Sequence, residues 1–377
     1  VIELDSIPRF VTEEILSLAA REYGLRASAT PLPSERDQNF LLSSTAGRFV
    51  LKIANCADTA ELLDFQHGAM RRIAAGLRGC HVPELIRTRS GAELVAVASV
   101  SGARHFVRLM GWLEGEVLGE RQGRSAALLQ SIGEGIAQVD LALGDYTHPA
   151  MRRSLQWDLK LAGDAREHVP RLPAARRARV LEIFDVWAAI DWRALPHSVI
   201  HGDANDHNIL IAGERMVGLL DFGDMVHSAT VCDLAIALAY SVLHEPDPLT
   251  ALQAVIRGYH RERPLAAQEQ RALPALLLAR LGASVCYSAF NRARNPRDAY
   301  QVVSEAAVWA LLDALERYSL AELERAVAAA CAVAVACAGS PSAGAPSPDA
   351  PSPDAPSPDA PSPDAPRAAS LRATAAP

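Results

Sequence analysis

The chain has 377 residues, half of them apolar and 21% charged, with a formal net charge of −7. That is enough length for two domains or one two-lobed domain with a sizeable core. The acidic balance argues against nucleic acid or another polyanion as partner, and no run of about twenty uncharged apolar residues predicts a membrane span. Val1 to Asp5 lacks the basic start and apolar core of a signal peptide. Cys56, Cys80, Cys232, Cys286, Cys331 and Cys337 are scattered without a C-x-x-C pair. This predicts reduced thiols in a cytoplasmic protein, with neither a zinc site nor a disulfide framework.

In chain order, Phe10, Ile15, Leu18 and Ala19 recur at helical spacing and predict a helix over 9–23, capped by Ser6 or Thr12. A polar stretch, 32–40, leads into Phe40–Ser43, a turn at 44–47 and a strand over 48–54. In that strand Phe49, Leu51 and Ile53 share one face, and Val50 and Lys52 share the other. A helix over 59–75 carries the apolar stripe Leu62, Phe65, Ala69 and Ile73. Asp58 to Glu61 reads as its capping box, and Asp64 lies on the face of Glu61.

Strands are predicted at 82–86, 93–100 and 104–110, the last two joined by a turn at Ser101-Gly102. Leu109 to Trp112 then connects to a second half that is mostly helical. Helices are predicted over 126–143, 175–190, 234–243, 249–260, 265–290 and 301–330, with Pro149 as a breaker after the first. Asp233 reads as an N-cap, and 291–297 reads as a basic loop. From Pro346 a Pro-Ser-Pro-Asp-Ala unit repeats four times through Ala365. Such a tract cannot bury a core and predicts an extended, disordered tail outside any catalysis.

The chain is organised around His201 to Asn208, which reads H-x-D-x-x-x-x-N, and Asp221-Phe222-Gly223, eighteen residues after Asp203. Between them lie the apolar runs 209–211 and 216–220 around a turn at 212–215, the pattern of a hairpin. Folding it back brings Asp203, Asn208 and Asp221 to one end. Two carboxylates and one amide oxygen at one point suit Mg²⁺, a hard ion bound through few protein oxygens plus phosphates. The bland alternative is a polar hairpin with a chance Asp-Phe-Gly; the complete octet and the intervening hairpin weigh against it.

These residues resemble the catalytic and magnesium loops of the kinase-like phosphotransferases. Gly202 in second position looks more like the aminoglycoside phosphotransferase and choline kinase branch than the protein kinases. The likeness covers roughly residues 1–330. It is carried by 33–40, 50–53, 64–66, 108–115, His148-Pro149, 157–159, 220–224, Asn295-Pro296, Tyr300 and Ser304-Glu305. Together with Asp206-His207 and Asp224, these look most like the hydroxylysine kinase group of that superfamily.

The resemblance implies an α+β, protein-kinase-like two-lobed fold. A small antiparallel sheet lobe with one helix would span 1–112, a larger helical lobe 113–335, and the tail 336–377. It implies transfer of the γ-phosphoryl group of ATP or GTP, with Mg²⁺, to an alcohol. Asp203 would be the catalytic base and Asn208 and Asp221 the metal ligands. Lys52 would neutralise the α and β phosphates, unless it is merely the solvated face of an edge strand. A helix acid would pair with Lys52; Asp64 is the candidate, because Glu61 has a capping role. No Gly-rich loop precedes Lys52, so Ser34 and Asn39 become the candidate phosphate contacts, and Met110 falls in the connector that holds the base. An Asp at position 233 would brace the catalytic loop, and His201 would be structural.

An amino-acid-like acceptor such as 5-hydroxylysine needs acids for its amines and a cation for its carboxylate. Asp158, Asp206, Asp224 and Glu305 are candidates on one side and Arg153, Arg292 and Arg294 on the other, each with a plain alternative as surface charge or cap. Trp157 is a candidate packing surface. The alternatives are an aminoglycoside or a homoserine- or choline-type phosphotransferase, and a non-catalytic, pseudokinase-like nucleotide-binding module. The basic 291–297 stretch argues against a polycationic acceptor, and the intact set Lys52, Asp203, Asn208 and Asp221 argues against the module.

Overall fold

The computed structural model describes residues 7–34, 36–294 and 305–338. Val1 and Ser6, Asn295-Pro296, Tyr300, Ser304 and the repeat tail of the sequence reading lie outside the described residues.

The first part is an antiparallel sheet built around two long strands. The helix α1 (Thr12–Tyr23) is followed by β1 (Ala27–Leu32), β2 (Gln38–Ser44), β3 (Gly47–Ile53), the helix α2 (Ala60–Gly76), β4 (Leu85–Ile86), β5 (Val95–Ala98) and β6 (Arg104–Gly111). The strand order is β1-β2-β3-β6-β4, with β5 also on β6. Pairing sets Phe40 opposite Leu51 and Leu51 opposite Leu109. Side chains directly opposite share a face, so this row joins Leu42, Ile53 and Val107 in a core against Ile15, Leu18 and Ala19 of α1. The next row, one residue along, is Asn39–Lys52–Arg108 and points to the other face. The alternation read for 48–54 therefore holds. The predicted cap of α1 does not: Val11 is the N-cap, and its N–H donates to the Glu14 carboxylate at 2.9 Å.

The second part is mostly helical, as expected. After the short β7 (Glu116–Val117) come α3 (Ala126–Leu143), a 3₁₀ stretch at Leu159–Arg171, and α4 (Ala174–Ala188). Next are β8 (His197–Ile200), β9 (Ile209–Ala212), β10 (Arg215–Leu219) and β11 (Val226–Ala229). The chain then runs through α5 (Val231–Ser241), α6 (Pro248–Glu262), α7 (Ala267–Arg294), α8 (Glu305–Leu315) and α9 (Leu320–Ala338). β9 and β10 form the predicted hairpin. α3 and α6 cross with their backbones nearly touching, because a Cβ on Gly133 would stand 2.0 Å from the Val255 carbonyl oxygen and one on Gly258 2.0 Å from that of Gln130. Only glycine permits such an approach.

Two helix boundaries differ from the sequence reading. Residues 291–294, read as part of a basic loop, form the last turn of α7. The stretch read as one helix over 301–330 holds two, α8 and α9, parted where Ser319 and Glu322 exchange capping hydrogen bonds. α7 is long and apolar enough to cross a membrane, but 83% of its most apolar window is buried inside the protein. It is a core helix.

Candidate active site

The catalytic-loop motif lies between β8 and β9, and its backbone is pinned from below. Both carboxylate oxygens of the fully buried Asp233 accept backbone hydrogen bonds, Oδ2 from His201 and Oδ1 from Gly202, each at 2.7 Å. Thr230, not Asp233, is the N-cap of α5. The expected brace is therefore present and the expected cap is not. His201 is fully buried; its Nδ1 accepts the Asp203 N–H at 3.2 Å, so Nε2 carries the proton donated to the Leu220 carbonyl at 3.0 Å. Burial lowers its pKa despite Asp233 and Asp221, which keeps it neutral and structural. Gly202 has φ 81°, and a Cβ there would stand 2.4 Å from the Asp224 carbonyl oxygen. Gly202→Ala is expected to push the loop off Asp224 and lower kcat by at least about tenfold, since misplacing a catalytic group by about 1 Å is this costly or more. Steady-state kinetics beside an unchanged near-ultraviolet spectrum checks this.

Asp203 stands on this pinned loop. Its Oδ1 accepts from Asn205 at 2.9 Å and from Arg280 at 3.3 Å, and its Oδ2 accepts from the Asn208 amide at 2.8 Å. Burial, then Asp224, pushes the carboxyl up to about 8, with Arg280 opposing and Asp221 adding to the rise. The Asn208 amide nitrogen is committed to Asp203, which turns its oxygen the other way.

Asp221 follows β10 in a left-handed conformation, φ 52°. Lys52 donates to it at 3.1 and 3.2 Å, and the Gly223 N–H at 3.0 Å. Partial burial would raise this carboxyl, but Lys52 outweighs it and brings it down to about 2. Lys52 also meets Asp37 at 3.2 Å. Burial alone would lower its pKa; Asp221 and Asp37 reverse that and raise it.

The expected partner of Lys52 on α2 is thus corrected. Asp64 is mostly exposed, pairs with His148 at 3.3 Å and is not among the residues that line the cleft with Lys52. Where α2 faces the cleft it carries Gln66, which accepts from Arg108 at 2.7 Å. The acid comes instead from Asp37, in the loop ahead of β2, placed there because Asn39 is paired with Lys52. Ser34 and Asn39 both line the same cleft. The Ser34 hydroxyl accepts from the Asp37 N–H at 3.2 Å, and Asn39 Oδ1 is buried without a partner. Met110 does not line it: it is in β6 opposite Val50, half-buried against the larger core. The connector begins one step later, where Trp112 N–H donates to the Arg48 carbonyl.

All three motif residues, Asp203, Asn208 and Asp221, line one cleft of about 290 Å³ with Lys52. Asp206, Asp224, Trp157 and Glu305 are on its wall. Asp206 is buried, with Oδ1 unpartnered, and burial raises its pKa against His207 and Arg124. Burial and Asp221 likewise raise Asp224. Arg294 is not brought in: its guanidinium lies 5.4 Å from the Phe290 ring at the exposed end of α7. Arg292 is paired with Glu305, Arg153 donates to the Gly223 carbonyl, and the buried Asp158 accepts from Ser228 at 2.7 Å. These three are structural contacts. Arg280, buried on α7, was not foreseen, although an arginine inside the apolar run 276–281 was a signal.

The geometry suits Mg²⁺. Asp221 offers a carboxylate that is 45% exposed toward the cleft, and Asn208 an amide oxygen freed by its nitrogen's bonds to Asp203. Two protein oxygens leave positions for phosphates and water, which this ion retains.

A family model described as "Phosphotransferase enzyme family" matches residues 28–273. The chain belongs to the phosphotransferase enzyme family. The hydroxylysine kinase of Mus musculus is 28% identical over 340 residues, 82% of this chain and 90% of that protein. The homoserine kinase of Nitrobacter winogradskyi is 31% identical over 248 residues, 64% of this chain and 72% of that protein. Among solved structures, a microcompartment-associated aminopropanol kinase superposes with a TM-score of 0.63 at 16% identity, covering 86% of this chain and 96% of that one. Amicoumacin kinase hAmiN, in complex with AMP-PNP, Ca²⁺ and Ami, gives 0.62 at 15%, covering 84% and 94%. These two share the fold, a sheet lobe and a helical lobe. This phosphotransferase is thus a small-molecule kinase by family, acting on hydroxyl groups.

Proposed function

We propose that this phosphotransferase transfers the γ-phosphoryl group of ATP or GTP to the hydroxyl of an amino-acid-like acceptor, with 5-hydroxylysine first and homoserine second. The observation that carries this reading is the convergence of Asp203, Asn208, Asp221 and Lys52 on one cleft. The likeness to hydroxylysine kinases over most of both chains supports the acceptor class, and that to homoserine kinases supports an amino acid bearing a side-chain hydroxyl.

In this reading Asp203 orients the acceptor hydroxyl and takes its proton. Lys52, already buried beside Asp221, meets the α and β phosphates in place of Asp221 once the metal claims that carboxylate. Asn208 and Asp221 hold Mg²⁺, which supplies charge neutralisation at the phosphates. Ser34 and Asn39 lie over the phosphates from the loop side, with the buried, unpartnered Asn39 oxygen facing a donor of the nucleotide or its water. Catalysis is positioning and charge stabilisation more than covalent chemistry. The nucleotide end falls in residues 1–112 and the acceptor end in 113–335.

The test is release of nucleoside diphosphate with Mg²⁺, comparing ATP and GTP against 5-hydroxylysine, homoserine, ethanolamine, choline and kanamycin. Turnover is expected on 5-hydroxylysine above homoserine. Turnover confined to choline or kanamycin would discard the acceptor class and keep the phosphoryl transfer. Nucleotide binding that ignores Mg²⁺, with no turnover on any alcohol, would favour a binding module.

A further inference from the structure

Among the arginines that line the cleft, most are already spoken for. Arg36 faces Asp58 at 3.4 Å and Asp224 at 3.9 Å, and Arg108 donates to Gln66 at 2.7 Å. Arg280 differs. Its side chain is 3% exposed, yet its hydrogen bonds to Asp203 Oδ1, at 3.3 Å, and to the Trp157 carbonyl, at 3.4 Å, are long, with Tyr240 as a further partner. Its Nε is buried with no partner, as is that of Arg108, but of these two it is Arg280 that touches Asp203. A guanidinium carries five N–H donors in a flat fork, and burying donors without partners is costly. The group is therefore buried and charged, held by long contacts and with one donor unpartnered, at the wall of the cleft beside the catalytic carboxylate.

The rings around it point the same way. The guanidinium carbon lies 4.6 Å from the centre of the Trp157 ring and 5.3 Å from that of Tyr240. Aromatic faces that could receive a substrate ammonium are thus already taken by the protein's own cation. An acceptor group arriving there meets a cation, which favours an anion.

Resting on the amino-acid acceptor reading, we infer that Arg280 is the anchor of the acceptor's α-carboxylate and so the residue that selects amino acids over amino alcohols. In homoserine and 5-hydroxylysine a short carbon chain separates hydroxyl from carboxylate. A cation touching the hydroxyl's own partner, Asp203, is within reach of that second group. The carboxylate engages the fork with two parallel N–H bonds, and Asp203 Oδ1, relieved of sharing Arg280, turns to the hydroxyl. The acids Asp206 and Asp224 on the same wall suit the amines.

The experiment compares acceptor pairs that differ only in the carboxylate: 5-hydroxylysine with 1,5-diaminopentan-2-ol, and homoserine with 3-aminopropan-1-ol. The readout is the ratio of kcat/KM within a pair, so any general loss through Asp203 cancels. Wild-type enzyme is expected to favour the amino acid by about 10- to 100-fold, the usual worth of charge-assisted hydrogen bonds. Arg280→Met is expected to bring the ratio close to one, and Arg280→Lys, which keeps the charge without the fork, to an intermediate value. An unchanged ratio in Arg280→Met, with amino acids still phosphorylated, overturns the anchor and leaves the acceptor reading intact; Arg280 then only positions Asp203. Turnover confined to alcohols without a carboxylate overturns both. Calorimetric binding of L-lysine against cadaverine carries the same comparison without turnover, and equal affinities in the wild type overturn the anchor.

Discussion

Asp203→Asn is expected to lower kcat by about two to four orders of magnitude, the range for a positioned acid–base group, while nucleotide affinity stays within about twofold. The substitution keeps shape but removes the charge on which three donors converge: Asn205, Asn208 and Arg280. An amide presents N–H on one side, so one of those donors faces another donor. The loss falls on kcat, because the nucleotide contacts proposed above are Lys52 and the loop at Ser34, not Asp203. Single-turnover kinetics and nucleotide titration separate the two. An Asp203→Asn enzyme within about tenfold of wild type would show that the hydroxyl is activated elsewhere.

Asp233→Ala is expected to be the most damaging change outside the cleft. Both carboxylate oxygens accept from buried backbone N–H groups of the catalytic loop, and alanine leaves both donors without a partner. At roughly 1–3 kcal/mol for each unsatisfied buried group, unfolding is easier by about 2–6 kcal/mol. That is a large share of a typical domain's stability. The urea midpoint measures it, and the folded fraction is also expected to lose activity, because the same two bonds place Gly202 and Asp203. Asp233→Asn, which keeps one oxygen acceptor, falls between. A destabilisation below about 1 kcal/mol would mean that water reaches those amides and that the brace is dispensable.

Asp203 and Asp233 were legible in the sequence for different reasons. The catalytic loop, hairpin and Asp-Phe-Gly were readable because their residues are close in the chain and the hairpin joins them. The two-layer alternation around Lys52 was readable because strand period alone sets it. The partner of Lys52 was not, because it depends on register between strands. Only the Asn39–Lys52 pairing shows that the loop carrying Asp37, and not the helix carrying Asp64, lies over the lysine. Arg280 was hidden for a related reason: it is 77 positions from Asp203 and inside an apolar helix, so nothing local tied it to the motif. Met110 and Arg294 were misplaced by element ends, where β6 runs one residue and α7 four residues further than their apolar patterns suggest. Asp233 was read correctly as a brace and wrongly as a cap, since an Asp near a helix start serves either use and burial decides between them.

Phosphoryl transfer to the hydroxyl of an amino acid is the proposed reaction. Its most direct test is to incubate the full chain with Mg²⁺, nucleoside triphosphate and 5-hydroxylysine, and to identify the product by phosphorus NMR and mass spectrometry. The expected result is O-phosphohydroxylysine, formed in step with nucleoside diphosphate, absent without metal and reduced to near background in Asp203→Asn. Diphosphate released without any phosphorylated amino acid, whether from 5-hydroxylysine or homoserine, would contradict it.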